Sequence, residues 1–265
     1  MLPFSPALTA LIYLLATLGG VAAGSAVNAI ADRVVGDEVP PWRGGECASC
    51  HKPLPASRTI PLAGWLLLDR RCPACGAPIT PRRPLVEAAL ALLFPVLLFH
   101  VAHLRGPLLV SPWLLFAVDA LAVTVLALIF VVDLEHHLIL DLIVYPAAAA
   151  LVLVALLADH KALASIGLGA VVGGGLFLAF YGLGRAIYHE DALGFGDVKL
   201  AALIGMVVGW PGIIDAVFLA ALIGAAIVML LLGLGRATRT TYVPFGTFLS
   251  TGAVLALLMA APLWQ

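Results

Sequence analysis

In the stretch LGFGDVKL, residues 193–200, an aspartate follows two glycines and opens an apolar run. A second aspartate, Asp133, closes an apolar run in VVDLEHHLILD, residues 131–141. Ionisable groups beside lipid are costly and point to function. Two carboxylates facing one water can hydrolyse a peptide. One, ionised, takes a proton from the water; the other, protonated, donates to the carbonyl and later to the leaving amine. Like charges at close range favour one shared proton. Gly194 and Gly196 would let the backbone beside Asp197 turn tightly and approach a substrate. The competing reading of Asp197 is local, an N-cap for a helix starting at Val198. No serine lies near a histidine at this depth to offer a rival nucleophile.

All four cysteines lie in one polar segment, as CASC (Cys47, Cys50) and CPAC (Cys72, Cys75), with residues 51–71 between the pairs. Two CxxC knuckles at this separation match a four-thiolate zinc site, each pair giving two tetrahedral ligands from one tight turn. Disulfides and a redox motif are the alternatives. A cytoplasmic location argues against structural disulfides, and a redox motif needs only one pair. A closed four-cysteine site leaves no position for substrate, so the metal would be structural and the hydrolysis would use no catalytic metal.

The elements that must position these groups are membrane helices. The chain is 63% hydrophobic and 11% charged, with mean hydropathy +1.11. It has no basic tract suited to nucleic acid. Apolar runs of about 20 residues span a bilayer. Leu8–Ala31, Leu85–Leu104, Pro112–Val132, Leu138–Leu157, Ala164–Leu183, a short Val198–Trp210, Gly212–Gly233 and Phe245–Leu263 give about eight spans. The expected fold is an all-α polytopic membrane protein with a small cytoplasmic zinc-binding insert. The division is 1–35 as the first span, 36–83 as the zinc module and 84–265 as the membrane core. Leu8–Ala31 is too long for a signal-peptide core and is read as a span. With the insert in the cytoplasm, its basic residues join Arg185, Lys199, Arg236 and Arg239 there. Only Arg105 and Lys161, of 14 basic residues, then fall outside. This topology puts Asp133 and Asp197 on the cytoplasmic side at similar depth. Lys199–Trp210 makes only roughly 18 Å of helix, which would recess Asp197 below the membrane surface.

The motifs resemble those of bacterial type IV prepilin peptidases, members of the GxGD membrane aspartyl proteases, and the match runs along nearly the whole chain. GSAVNAIADR (24–33), RTIPLAGWLLLDRRCPAC (58–75), RRPLVEAALALLF (82–94), VVDLEHHLILD, GFGDVK and VPFGTFL (243–249) follow the family's order. The resemblance implies Asp133 and Asp197 as the catalytic aspartates, with Gly194, Gly196 and Lys199 in the active-site loop. It implies cleavage of the basic leader of type IV prepilins and pilin-like type II secretion precursors at the cytoplasmic face of the bacterial inner membrane. It also implies N-methylation of the new terminus with S-adenosylmethionine, for which no donor-binding residues are legible. Thr59, Arg83, Leu140 and Thr247 depart from the usual residues, the last two replacing prolines; none is expected to touch either aspartate.

Glu135, Asp141, Glu190 and Asp191 could form a site for the leader's basic residue or a solvated rim. Lys199 could hold a carboxylate ionised or extend to the surface. Gly20, Gly24, Asn28 and Asp32 share one helix face, read as close helix packing rather than a methyl-donor site. Asp119 and Asp215 fall towards the outer side and are given no role.

Overall fold

The computed structural model describes residues 5–34, 50, 52, 71–77, 81–104, 111–158, 160–188, 193–236 and 243–259. Among them are seven helices and no strand. The chain divides into two compact units, residues 1–103 and 104–265.

The first unit holds α1 (Pro6–Val34) and α2 (Arg82–His103), packed on each other. Glycine makes their close approach feasible. A Cβ at Gly20 would stand 2.2 Å from the Leu90 carbonyl oxygen, and one at Gly24 would stand 2.6 Å from Glu87 Cα. Polar pins follow along the same pair: Ser25 Oγ donates to Glu87 Oε1 at 2.9 Å, and Asn28 Nδ2 to the Arg83 carbonyl at 3.0 Å. Asp32 takes the guanidinium groups of Arg82 and Arg83. The α1 face is thus engaged in packing on α2, the small-residue logic of helix pairs in lipid.

The second unit is built from α3 (Pro112–His136), α4 (Asp141–Ala158), α5 (His160–Tyr188), α6 (Phe195–Gly233) and α7 (Phe245–Met259). Ser111 starts α3, its hydroxyl accepting from the Leu114 N–H at 3.2 Å, with Pro112 in the first turn. Helix α6 lies against both α5 and α7, and α3 packs on α7. At the α5–α6 crossing the backbones nearly touch, since a Cβ on Gly169 would lie 2.0 Å from the Gly205 carbonyl oxygen. Helices α1, α2, α3, α5 and α6 are each long and apolar enough to cross a membrane; α4 and α7 are shorter apolar helices. Large apolar side chains such as Leu92, Leu157, Val171 and Met229 are exposed, as expected where lipid is the solvent.

The count differs from the expected eight spans at one place. Val198–Trp210 and Gly212–Gly233 run together as α6, interrupted at Gly209 (φ 63°, ψ −170°) and Trp210 (φ −92°, ψ 134°). Pro211 removes an N–H and drives the preceding residue to extended backbone, while the positive φ at Gly209 suits glycine. Both freed polar groups of Trp210 meet Ser165 Oγ on α5, N–H and carbonyl at 3.2 Å each. That is the substitute partner a broken helix needs in a bilayer.

Candidate active site

Asp133 lies four residues before the turn that ends α3. His137 closes that helix in the left-handed conformation (φ 55°, ψ 37°), its N–H donating to the Asp133 carbonyl at 2.9 Å. The Asp133 side chain is 5% exposed and points to the start of α7. The Thr247 N–H donates to Asp133 Oδ2 at 2.8 Å, and the Gly246 backbone lies beside the same carboxylate. The first N–H groups of a helix have no partner inside it, so this end is a ready anion site. Phe177 of α5 packs on Phe245 (centroids 5.9 Å apart), bracing that end of α7.

Asp197 is not the N-cap. Gly194 is, in extended backbone (φ −68°, ψ 138°), and α6 starts at Phe195. Asp197 occupies the third helical position, the place an acidic residue takes in a capping box, and its N–H donates to the Gly194 carbonyl at 3.1 Å. Its side chain is 8% exposed and close enough to Asp133 for the two charges to interact. Two buried carboxylates, from α3 and α6, therefore lie within electrostatic reach of each other, with Asp133 held by a main-chain donor at the start of α7.

The 137–140 connection closes the site from a third side. A Cβ at Gly196 would stand 3.0 Å from Ile139 Cβ, and one at Gly246 would stand 3.3 Å from Ile139 Cδ1 and 2.8 Å from Asp133 Oδ2. Both glycines are needed for the acids and Ile139 to meet. Lys199 does not hold either buried acid. Its Nζ binds Asp141 (Oδ1 at 2.6 Å, Oδ2 at 2.9 Å) and lies 5.3 Å and 5.7 Å from the Phe195 and Tyr145 ring centroids. This pair ties the first turn of α6 to the first turn of α4. Glu135 is part-exposed on the last turn of α3, with Oε2 at 3.8 Å from His136 Nε2. Glu190 and Asp191 lie outside the described residues. Asp119 is buried in α3, roughly 21 Å along the helix from Asp133, and Asp215 is exposed.

Ile139 and Gly246 border Asp133 or the start of α6, and reading the sequence did not single them out. The available signal was the VPFGTFL motif, in which a proline and a glycine open a helix. Thr247 also corrects the expectation that no departure from the usual motifs touches an aspartate. It does so through its backbone, while its hydroxyl turns away to the Pro244 carbonyl at 2.7 Å.

In the first unit, Cys72–Ala77 forms one knuckle. The Gly76 N–H donates to the Cys72 carbonyl at 2.8 Å, the Cys72 N–H to the Ala77 carbonyl at 2.8 Å, and Gly76 sits at φ 72°. The sulfurs of Cys50, Cys72 and Cys75 lie within 4.8 Å of one another, with Cys50 Sγ and Cys72 Sγ 3.8 Å apart. No disulfide joins Cys50, Cys72 and Cys75 to one another. Four thiolates at about 2.3 Å from zinc stand about 3.8 Å apart in a tetrahedron, so the cluster fits the metal's geometry. Cys47, the expected fourth ligand, lies outside the described residues.

Residues 18–101 match the bacterial peptidase A24 N-terminal domain, and residues 120–229 match the type IV leader peptidase family. Among curated proteins, the chain is similar to three named prepilin leader peptidase/N-methyltransferase. That of Aeromonas hydrophila is 32% identical over 214 residues, covering 80% of this chain and 70% of its own. That of Pseudomonas aeruginosa is 31% identical over 218 residues, again 80% and 70%. That of Myxococcus xanthus is 30% identical over 240 residues, covering 90% of this chain and 68% of its own. No solved structure matches the chain.

Proposed function

The chain belongs to the type IV leader peptidase family, and from that premise we propose that it is a membrane-embedded aspartyl endopeptidase with Asp133 and Asp197 as its catalytic pair. Its substrates are type IV prepilins and pilin-like type II secretion precursors, cut at the cytoplasmic face of a bacterial inner membrane. One carboxylate takes a proton from water as the water oxygen attacks the scissile carbonyl carbon. The other carboxyl gives its proton to the carbonyl oxygen. As the tetrahedral intermediate collapses, the C–N bond breaks and the amine nitrogen takes up a proton from the pair. Gly194 caps α6, whose opening residues include Gly196 and Lys199, and Glu135, Glu190 and Asp191 are assigned to the leader's basic residues, Asp141 being taken by Lys199.

The insert, residues 36–83, is assigned a structural zinc on Cys47, Cys50, Cys72 and Cys75, which would couple metal binding to its folding. The name of the relatives supports a second activity here, N-methylation of the new terminus, with S-adenosylmethionine supplying the methyl group.

The observation that carries the reading is the burial of two carboxylates from separate helices around Ile139. Asp133→Asn and Asp197→Asn keep the side-chain shape but cannot ionise or serve as base. Each variant should insert in the membrane and fail to cleave a synthetic prepilin peptide, followed by mass spectrometry. Substantial cleavage by either would remove that residue from the mechanism.

A further inference from the structure

We propose that Thr247 is a positioning residue for Asp133, acting through its main-chain N–H. This rests on the assignment of Asp133 to the hydrolytic pair.

The contact is short and buried: Thr247 N–H to Asp133 Oδ2 at 2.8 Å, between residues that are 3% and 5% exposed. Thr247 is the third residue of α7, where an N–H has no carbonyl one turn back to bind. It is therefore free to donate outward. The threonine side chain takes no part, because its Oγ1 donates to the Pro244 carbonyl at 2.7 Å. A main-chain N–H can only donate, so Oδ2 is fixed as an acceptor. The donor is also rigid. It is carried by a helix backbone braced through Phe245 on Phe177. Rotation of the carboxylate would break this bond.

Glycine at 246 belongs to the same device, since a Cβ there would stand 2.8 Å from Oδ2 and 3.0 Å from Asp133 Cγ. It would push the carboxylate off its donor. In a chain with proline at position 247 this donor does not exist. Here threonine adds a hydrogen bond to the acid that proline cannot make.

The test is a series at one position in the full-length protein, purified in detergent and assayed on a synthetic prepilin peptide. Proline is tolerated in the first turn of a helix, so Thr247→Pro removes the N–H with little cost to α7. Thr247→Ala keeps the N–H and loses the hydroxyl, and Thr247→Ser keeps both. The expected result for Thr247→Pro is a kcat about tenfold lower, equivalent to ~1.4 kcal/mol, with KM unchanged because the donor holds an acid and not the substrate. Thr247→Ala should lose far less, and Thr247→Ser should restore the rate. Gly246→Ala provides an independent arm, with the same fall in kcat at constant KM; thermal melting of each variant reports folding. A Thr247→Pro protein with the original kcat, or a Thr247→Ala loss as large as that of proline, overturns the inference. Asp133→Asn separates the two levels. If it is inactive while Thr247→Pro is fully active, the inference alone fails; if it cleaves, the assignment of Asp133 fails first.

Discussion

Gly196→Ala places a single methyl where Ile139 already stands. The added carbon would lie 3.0 Å from Ile139 Cβ, 3.4 Å from Cδ1 and 3.5 Å from Cγ1. An unstrained carbon contact is about 3.5–4.0 Å, so the nearest pair must separate by roughly 0.5–1 Å. Ile139 has little freedom to yield, because the nearest atom is its Cβ, which moves only with the backbone. The strain therefore falls on the first turn of α6, which carries Asp197. A misplacement of about 1 Å costs up to about 100-fold in rate, so kcat should fall about 10- to 100-fold, or ~1.4–2.7 kcal/mol. Overpacking should also lower stability by about 1–3 kcal/mol. The assay is peptide cleavage by purified protein, with melting alongside. Every atom met belongs to one side chain, so Ile139→Gly clears the contact. The double variant should then recover most of the loss seen between Gly196→Ala and the original protein, with a coupling of at least about 1 kcal/mol. A Gly196→Ala protein that cleaves and melts normally would refute the packing argument. So would a double variant whose losses simply add.

Replacing Cys72 and Cys75 with serine should abolish zinc binding, read by metal analysis, because the two remaining thiolates cannot hold the metal tightly. On one prepilin substrate, methylation should then fall further than cleavage; equal falls would argue against separate roles for the insert and the membrane core. Ser165→Ala leaves the Trp210 N–H and carbonyl without their partner on α5. Thermal melting should register a loss of about 1–3 kcal/mol, with the kcat of the folded protein retained.

Local chemistry and the bilayer made much of this protein legible from its residues. A backbone in hydrocarbon must satisfy its own polar groups, so long apolar runs become helices. The helices follow the hydropathy closely, except where Val198–Trp210 and Gly212–Gly233 join across the Gly209 break. The CPAC knuckle is local too, since a turn of a few residues sets both sulfurs. The two acids stood out because charge beside lipid is rare.

What faces those acids was decided by tertiary structure alone. Asp133 is held by an N–H 114 residues away in the chain. Asp141, not a buried acid, takes Lys199, and Ser165 repairs a break 45 residues distant. The misjudgement of Thr247 has a definite cause. Every residue except proline carries a main-chain N–H, so a backbone donor leaves almost no mark on residue type. Only the packing of α3 on α7 determines which of the free amides at a helix start meets a carboxylate, and with which oxygen.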